Sequence, residues 1–589
     1  MDIFADFSAR IANALMGLFP DAKDIDILLQ RATVEPPRDP SHGDISSNIA
    51  MVSAKVLGTN PRALAASLKE ALASDKDIKS IDIAGPGFLN FRLADHVWHK
   101  VLASLLKDPN NFGRTGTGNA GKVNVEFVSA NPTGPMHVGH TRGAIFGDAL
   151  ASLLEFSGHD VTREYYINDA GAQVNVLAQS AYLRYRQALG EEIGDIPDGL
   201  YPGDYLVPFG EALASEFGNA LLEKPESEWL PLVKPRVLSA MMDLIRHDLS
   251  LLGVTHDRFF SESELHKEKS PGENSIIAQT LQSLREADLI YQGTLEPPKG
   301  KAPEDWEDRE QTLFRAKQFG DDTDRPLIKS NGDYTYFAAD IAYHRDKFLR
   351  GYNDQIIVLG ADHSGYTKRL QAAVKAVSDG KASIDVKICQ IVRLLRDGKP
   401  FKMSKRSGDL VTVSDVVGEV GRDAVRFMLL FRRNEASMDF DFARVKEQSR
   451  ENPVFYVQYA HARAHSIART AKKDMPDLDL SEATLQQADI SLLSNEAEIE
   501  VLQMLAQWPR LVAAATRAHE PHRIAFYLYD LAGVFHGFWS KGKQDPSLRF
   551  VNHEQPELTH ARLAMVGAVK QVLALGLGVL GVSAPDELS

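Results

Sequence analysis

Between Lys122 and Gly158 the chain passes from a short apolar strand, VNVEFV, through a Pro/Gly-rich loop into an amphipathic helix that begins near Thr141. Ile145, Leu150, Leu153 and Leu154 give that helix a buried face, and Gly158 stands where a helix C-cap is expected. Strand, glycine-bearing loop and helix are the opening of a nucleotide-binding βαβ unit, which commits this part of the chain to a parallel α/β sheet. Within the loop SANPTGPMHVGH, His137 and His140 stand three apart at the loop-to-helix junction and can project toward one anion. Gly139 removes a side chain where a phosphate or purine must approach the backbone, and the unsatisfied N–H groups of the helix start favour a polyphosphate. Taken alone, the same letters also describe two surface histidines flanking a turn.

A second cluster, KPFKMSKRSG (Lys399–Gly408), follows an apolar strand and the hairpin dipeptide Asp397-Gly398. Lys402 and Lys405, separated by Met403 and the small Ser404, can swing two mobile point charges onto a pyrophosphate leaving group. The alternative is a solvated basic loop, against which Met403 argues mildly.

A chain of 589 residues calls for about three or four domains. Residues 1–112 mix helical and strand-like runs, and Asn110–Lys122 reads as a linker. The stretch of about 189–325 is polar and irregular, as an insertion into the α/β domain would be; strand patterns resume at QIIVLGADH and VKICQIVRLL. Helical periodicity dominates from Gly421, with a bundle from about Asn452. The net charge of −14 argues against wholesale nucleic-acid binding but leaves room for one basic surface. Cys389, the single cysteine, excludes an internal disulfide and a multi-thiolate zinc site, and fits a reducing, cytoplasmic setting. Asp2 and Asp6 stand where a secretory signal needs positive charge. Lys570 and Gln571 interrupt the apolar Leu563–Val582 stretch, which reads as a buried helix rather than a membrane span.

Glu126 is a carboxylate in an otherwise apolar strand and needs a cation, either a ligand or an internal salt-bridge partner. Tyr336 and Asp340, i and i+4 in an Ala-rich helix, share a face. Two carboxylates and a tyrosine hydroxyl can satisfy a planar guanidinium; the alternative for the helix is a polar face meeting water. In FYVQYAHARAHSIAR, Tyr456, Tyr459, His461 and Arg463 interleave aromatic and basic residues, a pattern suited either to core packing or to stacking single-stranded bases.

HVGH and KMSK, in this order and hundreds of residues apart, resemble class I aminoacyl-tRNA synthetases. The segments VEFVSANPTGPMHVGHTRGA, NDAGAQV, YFAADIAYH, VLGADHSGY and NPVFYVQYAHAR resemble the arginyl-tRNA synthetase family of bacterial type, and the likeness runs from HGDISSNIAM and AGPGFLNFRL to LGVSAPDELS. The resemblance implies an α/β Rossmann-type catalytic domain (113–420), an N-terminal α+β domain touching the tRNA elbow (1–112) and an all-α anticodon-binding domain (421–589). It implies ATP with Mg²⁺, arginine and tRNA(Arg) as ligands, a monomer, and neither membrane nor structural metal. His137, His140, Lys402 and Lys405 would be catalytic, neutralising the transition state at the α-phosphate. Pro135, Met136, Gly139, Met403 and Ser404 would complete the ATP site. Arginine would meet Glu126, Ser129, Asn131, Tyr336, Asp340 and His363, the last falling near a glutamine of some relatives. Tyr456, Tyr459, His461 and Arg463 would face the tRNA. Bound tRNA would be needed before activation, and no editing domain is expected, since a guanidinium pocket strands buried polar groups when it meets an uncharged mimic.

Overall fold

The computed structural model describes residues 1–22, 25–114, 121–268, 273–295, 309–401 and 411–588, in two compact units. One comprises residues 116–447 with Leu580–Val582; the other comprises Met1–Thr115, Gln448–Val579 and Ser583–Ser589.

The first unit is built on a five-stranded sheet. Its elements in chain order are β1 (Lys122–Glu126), α1 (Val138–Phe156), β2 (Asp160–Ile167), α2 (Gln173–Ala188), α3 (Glu226–Leu251), β3 (Arg258–Ser261), α4 (Tyr336–Leu349), β4 (Asp354–Gly360) and β5 (Ser383–Cys389). Every pairing in the sheet is parallel and the spatial order is β5-β4-β1-β2-β3. The chain winds outward from β1 through β2 to β3, then returns to the other side of β1 as β4. The order therefore reverses between β1 and β4, and the crevice beyond their carboxyl ends is where doubly wound sheets bind ligands. β1 is central, and Val123, Asn124, Val125 and Glu126 are all buried, as a strand covered on both faces must be.

Covering both faces forces polar groups inward, and they are met in pairs. Glu126 on β1 lies in register with Glu164 on β2. Two cations from the last turns of α4 reach them: Lys347 Nζ donates to Glu126 Oε2 at 2.6 Å, and Arg350 donates to both Glu164 oxygens at 2.7 and 2.8 Å. Tyr343 adds its hydroxyl to Glu164 at 2.7 Å. These bonds bolt α4 across the sheet. Gly147 on α1 permits a second close approach: a Cβ there would sit 2.2 Å from the Phe127 ring.

Two sequence-drawn boundaries move. The stretch expected as one insertion contains β3, a strand of the main sheet; its four residues RFFS, set in a polar run, are too short for periodicity to reveal. What surrounds it is a helical module, where Tyr182 stacks on Trp229 at 4.0 Å, and a small antiparallel sheet of Ile290–Gly293, Gln311–Phe314 and Arg325–Pro326. The α/β unit also continues past residue 420. β6 (Val392–Arg396) pairs in parallel with β7 (Met438–Asp441), and the helical pattern of the connecting Arg422–Leu430 is the crossover such pairing requires. Asp397 and Gly398, with φ of 51° and 74°, turn β6 back onto Lys399–Pro400.

In the second unit, a four-stranded antiparallel sheet carries the helices Ile3–Leu18, Pro61–Leu72 and Asp95–Lys107. The bundle that belongs with it includes α5 (Pro453–Asp474), α6 (His522–Gln544) and α7 (Pro556–Val579). Trp508 is fully buried and donates to Phe112 O at 3.0 Å, joining the N-terminal domain to the bundle. α7 is the one described helix apolar and long enough to cross a bilayer, and 67% of its most apolar window is buried.

The α4 bolt has a measurable energy. Lys347→Met leaves Glu126 buried and unpaired and is expected to cost about 3–5 kcal/mol in urea unfolding, with most of it recovered in Lys347→Met/Glu126→Gln. Equal losses in the single and double variants would contradict the pairing.

Candidate active site

The Met136–Val138 segment is fixed on two sides. Asp248 on α3 accepts the Met136 N–H at 2.8 Å. Val138 N–H donates to Val411 O at 3.1 Å, and Val413 N–H donates to Met136 O at 3.2 Å. The expected lysine residues Lys402 and Lys405, with Met403 and Ser404, lie outside the described residues. The chain on either side of them is described. It leaves at Phe401, whose N–H donates to Leu394 O on β6, and re-enters at Val411, bonded to the histidine segment itself.

His137 is the N-cap of α1, its Nδ1 accepting the Gly139 N–H at 3.1 Å. His140 Nδ1 receives the His137 N–H at 3.5 Å, and the two rings lie 3.9 Å apart. A ring nitrogen that accepts carries no proton, so Nε2 of each imidazole is the protonated donor. Burial holds the His137 imidazole below its ordinary range; burial, together with the neighbouring His137, takes His140 down to about 4. The transition-state charge expected of this pair is therefore absent before ligand binds: the histidines are neutral donors at a helix N-terminus, and cationic character is left to other groups. Gly139 is required here for a reason beyond ligand approach, since a Cβ would lie 2.7 Å from His137 Cε1.

Between β1 and this segment the backbone is strained. Val128 and Ser129 have φ of 72° and 42°, a conformation that costs a β-branched residue on the order of 1–3 kcal/mol and clusters at functional sites. The turn brings Ser129 Oγ within 3.2 Å of Glu126 Oε1 and 3.1 Å of the Tyr166 N–H, and places Asn131 Oδ1 3.2 Å from Asn168 Nδ2.

Of the two readings of Glu126, the geometry has the internal ion pair: one oxygen is held by Lys347 and the other by Ser129. The carboxylates that lack such a partner lie beside it. Asp340 on α4 has no hydrogen bond or ion pair among the described residues, and burial with the neighbouring Glu126 charge pushes it up to about 7. Glu262, buried just beyond β3, has only His266 at 3.8 Å as a side-chain partner among the described residues, and burial with Asp169 nearby raises it to about 7. Tyr166 lies among them, its hydroxyl driven up by burial and by Glu262, Asp340, Glu126 and Asp169. Arg369 stacks on Tyr366 at 4.5 Å; its charge reaches Asp340 and partly offsets the upward shift, but the two form no ion pair among the described residues. Neighbouring acceptors with no tight cationic partner among the described residues suit a planar, five-donor cation.

Glu262 escaped the sequence reading because SESELHKEK looks like a solvated loop; the signal was that Glu262 follows a parallel strand. Tyr166 and Asp169 were not singled out, although Asp169 lies within NDAGAQV. Tyr336, by contrast, is 62% exposed with Lys329 5.2 Å above its ring. His363 follows β4, its Nε2 3.4 Å from Asp362, the carboxylate whose charge reaches His140. It thus stands across the β1/β4 switch point from the histidine loop.

In the other unit, Tyr459 is exposed on α5, and the Arg463 guanidinium lies 4.4 Å above its ring and 4.0 Å above Trp539 of α6. Lys543 covers Trp539 at 3.8 Å. These residues line a cavity of about 780 Å³ with Arg469, Arg549 and His553. Tyr456 packs against Tyr529 and His536, and His461 is buried with Nδ1 2.8 Å from Pro585 O. Trp539 ends the run AFYLYDLAGVFHGFW (Ala525–Trp539), whose composition suits a bundle core, and Leu531, Phe535 and Phe538 within it are buried; Lys543 follows one turn later.

Residues 5–93 match the family described as arginyl tRNA synthetase N terminal domain, 101–198 the class I (R) tRNA synthetase catalytic domain, and 457–588 the DALR anticodon binding domain. Arginine–tRNA ligases of Methylobacterium nodulans and Sinorhizobium medicae are 59% and 57% identical, each alignment covering 100% of both chains. Among solved structures, the arginyl-tRNA synthetase of Thermus thermophilus superposes with a TM-score of 0.72 at 21% identity, covering 99% of this chain and 100% of that one, a likeness of fold.

The raised carboxyls give the slot a pH signature. Near pH 7 and below, Asp340 and Glu262 hold protons that a guanidinium must displace, so binding releases protons and weakens as pH falls. Two carboxyls at about 7 predict affinity for arginine lower by about 10- to 100-fold at pH 6 than at pH 8. Calorimetry in buffers of different ionisation enthalpy checks this; pH-independent affinity without proton release would contradict it.

Proposed function

The chain belongs to the arginyl-tRNA synthetases, class I ligases that use ATP to join arginine to tRNA(Arg), and from that premise we propose how its residues divide the reaction. The observation that carries the proposal is the pairing of a histidine-capped helix start at the β1/β4 switch point with a slot whose Asp340 carboxyl has no ion-pair partner among the described residues.

Asp340 and Glu262 take the two edges of the arginine guanidinium, and Tyr166 contributes its hydroxyl. Glu126 acts one step behind them, holding Lys347 and hence α4. Ser129 and Asn131, on the strained turn, face the α-amino and carboxylate end. ATP would come as its Mg²⁺ complex, the ion lowering the negative charge of the triphosphate. The arginine carboxylate attacks the α-phosphorus in line, the bond to the bridging oxygen breaks, and pyrophosphate leaves. Nε2–H of His137 and of His140 donate to phosphate oxygens, supported by the N–H groups of α1. Lys402 and Lys405 follow the pyrophosphate, and the strand contact of Val411–Val413 with Met136–Val138 fixes where their loop ends. In the second step a ribose hydroxyl of the tRNA 3′ end attacks the arginyl carbonyl and AMP departs.

Tyr459, Arg463, Trp539 and Lys543 form the face that receives anticodon-loop bases, by stacking and cation–π contact. Tyr456 shapes that face from within. The enzyme acts as a cytoplasmic monomer that needs no membrane, and its activation step awaits bound tRNA.

Charging of total tRNA with each amino acid in turn is expected to give arginine alone. His140→Ala should lower kcat by about 10²–10³-fold, as loss of a preorganised donor does, while arginine affinity changes little. An unchanged kcat, or charging with another amino acid at comparable efficiency, would overturn these assignments.

A further inference from the structure

We propose that His461, His465 and Asp586 bind a divalent transition-metal ion of the zinc class, which fastens the C-terminal tail to α5. His461 and His465 are i and i+4 on one face of α5, with ring centroids 4.9 Å apart. Asp586 arrives from the tail, its Oδ1 3.0 Å from His465 Nε2. One ligand atom from each residue lies within 4.8 Å of the others, the one such grouping of His, Cys, Asp or Glu among the described residues. Two donors on a tetrahedral ion at about 2.0–2.1 Å stand roughly 3.4 Å apart, so closing the site needs side-chain rotation and no movement of the helix.

The supporting contacts are those a metal ligand requires. His461 Nδ1 lies 2.8 Å from Pro585 O, a carbonyl that only accepts, so Nδ1 carries the proton and Nε2 presents a lone pair. A ligand imidazole oriented by its other N–H on a backbone carbonyl is the usual second sphere of a zinc site. Lys570 of α7 lies close enough to act electrostatically on both imidazoles. His465 needs only to move its proton from Nε2 to Nδ1 to become a ligand. Two imidazoles and one carboxylate select zinc-like ions over Mg²⁺ or Ca²⁺, which require oxygen donors, and leave a fourth position for water. Lys570 opposes a dication and moderates the affinity.

The same helix face explains what the ion would do. Gln458 Nε2 donates to Ser583 O at 3.0 Å, and Arg469 pairs with Glu587 at 3.3 Å. The tail is thus laid along α5 through positions 458, 461, 465 and 469, and the ion would be its central fastener. Tyr459 and Arg463 line the neighbouring cavity, which also includes Glu587 and Leu588 of the tail. His461, expected from the sequence to face RNA, is here a ligand.

The test uses the full-length enzyme, stripped with chelator and titrated with Zn²⁺ against a chromophoric competitor, with Co²⁺ as a spectroscopic probe. Binding of one equivalent is expected, with tetrahedral Co²⁺ absorption and slowed hydrogen exchange in residues 583–588. His465→Ala and Asp586→Asn should each weaken binding by at least about tenfold. Asp586 is on the surface of the tail, so its variant tests the site even if the helix variant folds poorly. Absence of binding, or unchanged affinity and exchange in both variants, would overturn the proposal.

Discussion

The buried pair of Lys347 and Glu126 decides what the active site can be. A carboxylate at the carboxyl end of the central strand cannot stay charged there without a cation, and α4 supplies one from its last turns. Arg350 repeats the arrangement one strand over on Glu164. Both bonds fix the register of α4 on the sheet, and that register holds Asp340, two turns earlier on the same helix, among Glu126, Glu262 and Tyr166. The helix that neutralises one pair of carboxylates thereby presents Asp340, which has no ion-pair partner among the described residues. Charge left over in this way is what makes the slot selective, since a neutral side chain of similar shape would leave buried carboxylates without partners.

The phosphate end rests on a different economy. His137 and His140 use one nitrogen each on the helix start and keep the other as a donor, so the loop meets a polyanion without carrying fixed charge of its own. Positive potential comes from the α1 N-terminus and, on the proposed mechanism, from Lys402 and Lys405. The strained Val128–Ser129 turn lies between this phosphate end and the carboxylate slot.

The sequence made the local chemistry legible more readily than the long-range pairing. HVGH, the Asp397-Gly398 turn and the apolar face of α1 obey short-range rules, and each appears in the structure where those rules put it. Glu126 announced a need for a cation, but Lys347 lies 221 residues away and no spacing rule links them. Glu262 was hidden because a four-residue edge strand leaves no periodic trace, and β7 because its parallel partner is reached through a helix. Tyr336, which i,i+4 spacing put on a face with Asp340, stands at the first turn of α4 with its side chain exposed, while Tyr166 lies beside the carboxylate. His461 similarly sits on the right helix but on its buried side.

Discrimination between arginine and citrulline, its neutral near-isostere, probes the leftover charge directly. Competition measurements on the wild type and on Asp340→Asn/Glu262→Gln should show the preference for arginine falling by about 100-fold or more when both carboxylates are neutralised. Preference retained in the double variant would mean that charge in this slot does not select the substrate, and the account built on it would be wrong.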